Sequence, residues 1–262
     1  MAKDKTYFVS DMHFGSDIFG SSKERERRFV RWLDSIQAEA KTIYLLGDIF
    51  DFWFEYKKAV PRGFTRFLGK IAEMSDAGTE IHYFTGNHDI WVYDYLPQEI
   101  GVILHKEPLV TEISGKTFYM AHGDGLGDNS HSFKLIRWVF HNPVCQKFFR
   151  LIHPDIGIRL AHIWAKSSRS KELAHPAPYF GEDKEHLVLY AKSYIQSHPD
   201  TDYLIFGHRH ILLDLMLNQR SRMMIIGDWL QYFSYAVFDG EELTLDCFFQ
   251  RNTNFKTANI AK

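Results

Sequence analysis

The chain has 262 residues, of which 45% are hydrophobic and 16% aromatic, enough for a substantial core and too many for a disordered chain. That length suits one large domain, or one domain carrying an insertion. The net charge of −2 excludes a global electrostatic pull toward nucleic acid.

The charged start, Lys3-Asp4-Lys5, runs directly into an apolar stretch that reads as a strand over Tyr7 to Ser10, which leaves no room for a signal peptide. The strand ends in Asp11-Met12-His13. In extended backbone, residues two apart point the same way, so Asp11 and His13 are expected to aim at one point. Ser21 to Ala40 reads as a helix, with Ser22 as its cap and an apolar stripe of Phe29, Val30, Trp32, Leu33 and Ile36. Thr42 to Leu46 is nearly all apolar, as expected of a strand covered on both faces. It runs into Gly47-Asp48-Ile49-Phe50-Asp51, followed by the rings of Phe52, Trp53, Phe54 and Tyr56, most of which read as core.

Pro61 to Ala77 reads as a second helix. Ile81 to Thr85 reads as a buried strand that delivers Gly86-Asn87-His88-Asp89 at its carboxyl end, where open α/β sheets place their ligands. Leu109 to Ile113 and Thr117 to Ala121 form an expected hairpin around Ser114-Gly115, and the second of these strands ends in His122-Gly123-Asp124. Residues 131–171 differ in character: eight basic residues face one acid, with six large aromatic residues interleaved. Pro143 and Pro154 divide the stretch into two or three short amphipathic helices. Such a stretch is either an ordinary helical insertion with a solvated basic face or a cap for an anionic, partly apolar substrate or membrane surface. Glu182 to Ser197 reads as a helix. Tyr203 to Phe206 reads as a strand ending in Gly207-His208-Arg209-His210, whose two histidines are again expected to share a face. Strands over Leu212 to Met216, Met223 to Ile226, Tyr235 to Phe238 and Leu243 to Phe249 complete the chain, the last two joined at Asp239-Gly240. No apolar run reaches the length of a membrane span.

The strand ends therefore present Asp11, His13, Asp48, Asn87, His122, His208 and His210. These are two carboxylates, one amide and four imidazoles, without a thiolate. The two cysteines, Cys145 and Cys247, lie far apart and fit a reduced cytosolic setting. Seven oxygen and nitrogen donors exceed the need of one ion and suit two divalent ions sharing a bridging carboxylate, as in phosphoryl transfer. The donor set fits Mn²⁺, Fe²⁺, Zn²⁺ or Co²⁺.

This ordered set resembles the calcineurin-like metallophosphoesterases, whose pattern is Asp-x-His, Gly-Asp, Gly-Asn-His with an acid, His, and Gly-His-x-His. All five blocks occur here in order, from residue 11 to 210. The resemblance implies an α/β fold, a four-layer α/β/β/α sandwich in a single domain over 1–262. It implies that Asp11, His13 and His210 hold one ion, that Asn87, His122 and His208 hold the other, and that Asp48 bridges them. His88 would stand over the phosphate, oriented by Asp89, and Asp124 would steady His122. Two Mn²⁺ ions are the expected cofactors.

The whole chain is similar to one branch of that family, the UDP-2,3-diacylglucosamine pyrophosphatases of lipid A synthesis. The similarity lies in Ser10-Asp11-Met12-His13-Phe14-Gly15, in Leu46-Gly47-Asp48-Ile49-Phe50-Asp51 with Trp53 behind it, and in Ala121-His122-Gly123-Asp124. It extends to an inserted helical cap over 128–175 with a Ser/Lys-rich piece, Ser167-Ser168-Arg169-Ser170-Lys171. The resemblance implies cleavage of a nucleotide-linked glycolipid to UMP and an acylated sugar 1-phosphate, with Ser168, Arg169 and Lys171 as substrate contacts. It implies a peripheral position on the anionic cytoplasmic face of the inner membrane, and neither nucleic acid nor a protein partner is expected. Well-known members of that branch carry Arg where His88 stands; His88 matches the wider family. The rival readings are a phosphodiesterase or phosphatase for soluble nucleotides or phosphoproteins, and a non-catalytic binding scaffold.

Overall fold

The computed structural model describes residues 3–127, 138–161, 163 and 179–248. Two sheets stack face to face. The first has the order β11-β10-β1-β2-β3-β4 and the second β5-β6-β7-β9-β8. In the first, β1 (Lys5–Val9), β2 (Ala40–Leu46), β3 (Glu80–Phe84) and β4 (Ile103–His105) run parallel, while β10 (Ser234–Phe238) and β11 (Leu243–Cys247) add an antiparallel edge. In the second, β6 (Lys116–Ala121), β7 (Tyr203–Phe206) and β9 (Arg222–Ile226) are parallel, flanked by antiparallel β5 (Leu109–Ile113) and β8 (Leu212–Met216).

Alternate residues of each strand serve different layers. Phe8, Tyr44, Leu46 and Phe84 meet Phe118, Met120, Ile205 and Met224 between the sheets. The opposite face of the first sheet packs on α1 (Ser22–Ile36) and α2 (Thr65–Asp76), through Phe29, Trp32, Phe67 and Ile71. The outer face of the second packs on α5 (His186–Ser197), through Leu187, Val188 and Ala191. The result is the expected four-layer α/β/β/α sandwich, and it explains why β2 is buried at six of its seven positions. Trp32 is fully buried and packs edge-on against Tyr7. Trp32→Ala should cost about 3–5 kcal/mol of stability, read as a lower urea midpoint at unchanged slope.

Helix starts depart from the sequence expectation for a physical reason. Ser21, not Ser22, caps α1. The second helix begins at Thr65 rather than near Pro61, because its first amides are held from outside: Glu26 Oε1 on α1 accepts from Arg66 N (2.9 Å) and Phe67 N (3.1 Å). A short helix that the sequence does not announce, α3 (Tyr95–Ile100), is held likewise by buried Glu55, whose Oε2 accepts from Asp94 N and Tyr95 N. The three-residue β4 is likewise unannounced, being too short to show a period.

The described part of the basic, aromatic stretch is helical over α4 (Pro143–Phe149) and over 154–161. Phe140, Phe149, Ile158 and Ala161 pack on Phe52, Phe54 and Trp91, which lie in the loops after β2 and β3. The Trp91 indole donates to the Phe140 carbonyl at 2.8 Å, tying this segment to the sandwich. The bounds at 128 and 175 lie outside the described residues. No described helix is long and apolar enough to cross a membrane.

Candidate metal centre

The loops after β1, β2, β3, β6, β7 and β9 all leave the carboxyl ends of parallel strands and meet at one end of the sandwich. Five of the seven expected ligands have left-handed backbone: Asp11 (φ 58°), His13 (46°), Asp48 (53°), His208 (67°) and His210 (50°). Each such conformation in a non-glycine residue costs on the order of 1–3 kcal/mol and persists only where neighbours enforce it. Here they do. Asp11 N donates to Gly47 O (3.1 Å), His13 N to Asp48 O (3.0 Å) and Gly207 N to His122 O (2.9 Å). The buried Arg25 guanidinium donates to the carbonyls of Met12, His13 and Ser16. Asp11 and His13 thus converge through turned backbone, not the extended geometry expected from the sequence. Nor do His208 and His210 share one target: they turn to different clusters.

Two glycines make the approach possible. A Cβ on Gly86 would overlap Asp48 Oδ1 and lie 2.6 Å from Asp48 N; one on Gly207 would lie 2.6 Å from Asp11 Oδ2.

Asp11, His13 and His210 form one cluster and Asp48, His122 and His208 a second, the ligand atoms of each lying within 4.8 Å of one another. Asp48 stands between them. Its Oδ2 is 3.3 Å from His122 Nε2 and 3.7 Å from His13 Nε2, while its Oδ1 accepts from His88 N at 2.8 Å. Asp11 Oδ2 accepts from His208 N at 2.9 Å. Asp11 Oδ1, Asn87 Oδ1 and His122 Nε2 are buried without a hydrogen bond. Buried polar atoms are ordinarily satisfied. An oxygen and nitrogen set left unsatisfied on both sides of a shared carboxylate fits divalent cations.

The charges point the same way. Burial opposes ionisation of Asp48, but the surrounding His122, His88 and His13 outweigh it and hold its carboxyl well below the usual range. Burial likewise disfavours a charged His122, yet Asp48 and Asp11 raise it well above an ordinary imidazole. Burial, reinforced by His122, pushes His208 down to about 3. Asp48 and His122 thus favour each other's charged forms, and a cation bound between them would compete with a proton on His122. Metal uptake should release protons, and apparent affinity should fall as pH falls, because protonation of His122 then competes better. Titration of metal-free protein in weak buffer with a pH dye checks both signs.

The partners of the ligands differ in part from expectation. His122 Nδ1 donates to Leu46 O at 2.8 Å, so a peptide carbonyl takes the hydrogen bond expected of Asp124. Asp89 does not orient His88. Its buried carboxylate accepts from Ile49 N, Phe50 N, Gly86 N and the Tyr83 hydroxyl, clamping the loops after β2 and β3 together. Burial, with Asp48 nearby, pushes it up to about 6. The residue at His88 is Asp51: its carbonyl accepts from His88 Nδ1 at 3.0 Å, and its Oδ1 lies 4.0 Å from that nitrogen and 3.7 Å from His13 Nδ1. Asp51 closes the Gly47-Asp48-Ile49-Phe50-Asp51 block, where the sequence pattern assigns it no role. Asp228 also lies outside the expected set, and its Oδ2 is 3.2 Å from His210 Nδ1. It does carry a sequence signal, since Ile226-Gly227-Asp228 repeats the strand-Gly-Asp pattern of Leu46-Gly47-Asp48.

Asn87 and His88 line a cavity of about 280 Å³ together with Asp51, Phe52, Ile90, Trp91, Phe140, Phe149, Leu160 and Ala161. Asp51, Asn87 and His88 are its polar lining; the rest is apolar, and Phe140, Phe149, Leu160 and Ala161 of it come from the helical segment. Ser168, Arg169 and Lys171 lie outside the described residues.

The model of the family described as calcineurin-like phosphoesterase matches residues 5–212. The chain is 45% identical over 255 residues to a UDP-2,3-diacylglucosamine hydrolase of Porphyromonas gingivalis, covering 93% of this chain and 97% of that protein. A protein of the same name from Neisseria meningitidis is 26% identical, covering 90% of this chain and 94% of its own. Among solved structures, vacuolar protein sorting 29 of Cryptosporidium parvum is similar at a TM-score of 0.42 and 11% identity, over 93% of this chain and 96% of that one.

Proposed function

The chain belongs to the calcineurin-like phosphoesterase family, and on that footing we propose that it hydrolyses the pyrophosphate of UDP-2,3-diacylglucosamine to UMP and 2,3-diacylglucosamine 1-phosphate. The observation that carries this reading is the cavity: a mainly apolar hollow lined by Asn87 and His88 and by Phe140, Phe149, Leu160 and Ala161 of the inserted segment. A soluble nucleotide needs no such wall, whereas an acyl chain gains about 0.8 kcal/mol per methylene buried in it. The relative of the same name at 45% identity supports the same substrate.

Asp11, His13 and His210 would hold one divalent ion, Asn87, His122 and His208 the other, and Asp48 both, with Mn²⁺ the ion expected from the family resemblance and compatible with the donor set. Such ions supply Lewis acidity at the phosphate and acidify the attacking water. With His88 Nδ1 held by the Asp51 carbonyl, Nε2 is the nitrogen that would meet the phosphate, to stabilise its charge or protonate the leaving oxygen. The apolar wall would shelter the glycolipid leaving group beside the site. We take the chain as one domain with 128–175 as its cap, and Ser168, Arg169 and Lys171 as contacts to the anionic substrate.

The same segment gives a reason for residence at a cytoplasmic, anionic membrane surface. Trp138, Val144, Phe148, Leu151 and Ile156 are more than half exposed, among exposed Lys147, Arg150 and Arg159. Sedimentation with vesicles should rise with anionic lipid content and fall with salt; equal binding to neutral vesicles would contradict the electrostatic part.

Product analysis tests the reaction. Purified protein with Mn²⁺ should release UMP and the diacylated sugar phosphate from the glycolipid, and a chelator should stop it. Hydrolysis of a generic aryl diester without UMP release would keep the phosphoesterase and discard the substrate.

A further inference from the structure

An imidazole that ligates a metal through one nitrogen needs its other nitrogen held, and the holder sets ring orientation and ligand basicity. On the reading of the two clusters as metal positions, the holders are unequal. His122 leans on a neutral peptide carbonyl, whereas His210 leans on Asp228. Among the three members of its cluster His210 needs support most: its side chain is 26% exposed, against 0% for Asp11 and His13.

Asp228 is built for that task. It is 1% exposed and stands just past β9. Its Oδ1 accepts from Leu230 N (2.9 Å), Gln231 N (2.7 Å) and Tyr232 N (3.2 Å), which fixes the carboxylate plane and leaves Oδ2 on His210 Nδ1 at 3.2 Å. With Nδ1 donating there, Nε2 is the nitrogen that points into the cluster, 3.4 Å from Asp11 Oδ1. The next residue acts on the same cluster, since Trp229 N donates to Asp11 O at 3.1 Å. One turn thus grips two of the three members of the Asp11–His13–His210 cluster. The described hydrogen bonds of Asp228 and Trp229 include none to Asp48, His122 or His208.

We propose that Asp228 is a positioning residue that sets the metal affinity of the Asp11–His13–His210 position and leaves the Asp48–His122–His208 position unaffected. Asp228 touches neither substrate nor ion in this account; it acts through His210.

Mn²⁺ titration of the full chain, followed by calorimetry and by electron paramagnetic resonance, tests this without any substrate. Wild type should bind two Mn²⁺ per chain and give the signal of a coupled pair. Asp228→Asn keeps the shape and the turn; it should bind one Mn²⁺ at wild-type affinity and the second about 10–100-fold more weakly, with an isolated-ion signal at intermediate loading. Asp228→Ala should do the same more severely, with the thermal midpoint of the metal-free variants reporting any loss of fold separately. Wild-type affinity at both positions in Asp228→Asn, or equal weakening of both, would overturn the proposal. A wild type that takes up fewer than two ions would overturn the dinuclear reading itself, and the positional claim with it.

Discussion

Asp48→Asn should abolish turnover, with kcat down at least about a thousandfold, roughly 4 kcal/mol of lost transition-state stabilisation. The reason is geometric. Asp48 Oδ2 is the atom that lies within 4 Å of a histidine from each cluster, His122 at 3.3 Å and His13 at 3.7 Å. An amide there removes the negative charge that stands between the two clusters. It also leaves His122 without the partner that raises it. Metal content should fall together with rate, while the fold persists because Asp48 Oδ1 still has a counterpart that can accept from His88 N. Steady-state kinetics at saturating Mn²⁺ checks this, and near-normal turnover would break the shared-carboxylate account.

The second large effect is on substrate choice. Ala161→Trp places an indole in the cavity wall beside Leu160 and Phe149, far in sequence from every expected ligand. Excluding about three methylenes of an acyl chain costs roughly 2.4 kcal/mol, about a 60-fold loss. Thus kcat/KM for the diacylated substrate should fall about that much. Cleavage of a small aryl diester, which has no acyl chain to place in the cavity, should stay within about twofold. A parallel loss on both substrates would mean that the cavity does not hold the acyl chain.

Much of this arrangement is legible in the sequence because the ligands come directly after strands. Apolar runs such as Ile43 to Leu46 announce buried strands, and the residues at their carboxyl ends have to gather at one sheet end. The spacing does not reveal how they gather. The period-two rule predicts convergence of Asp11 with His13 and of His208 with His210, but all four have left-handed backbone, and the second pair divides between two clusters. Sequence proximity also misleads: Asp89 adjoins His88 yet clamps backbone amides, while Asp51, distant in sequence, faces the ring. Asp228 lies beyond the last His motif, where only tertiary packing brings it to His210. Remote caps fail for the same reason, since Glu26 and Glu55 hold helices that their local sequence does not start.

Two ions sharing Asp48 are the central expectation for this site, and the most direct test is anomalous diffraction from crystals grown with Mn²⁺. Two peaks about 3.5–4 Å apart are predicted, one against Asp11, His13 and His210, the other against Asn87, His122 and His208, with Asp48 between. A single peak at full Mn²⁺ loading, or two peaks that do not share Asp48, would contradict it.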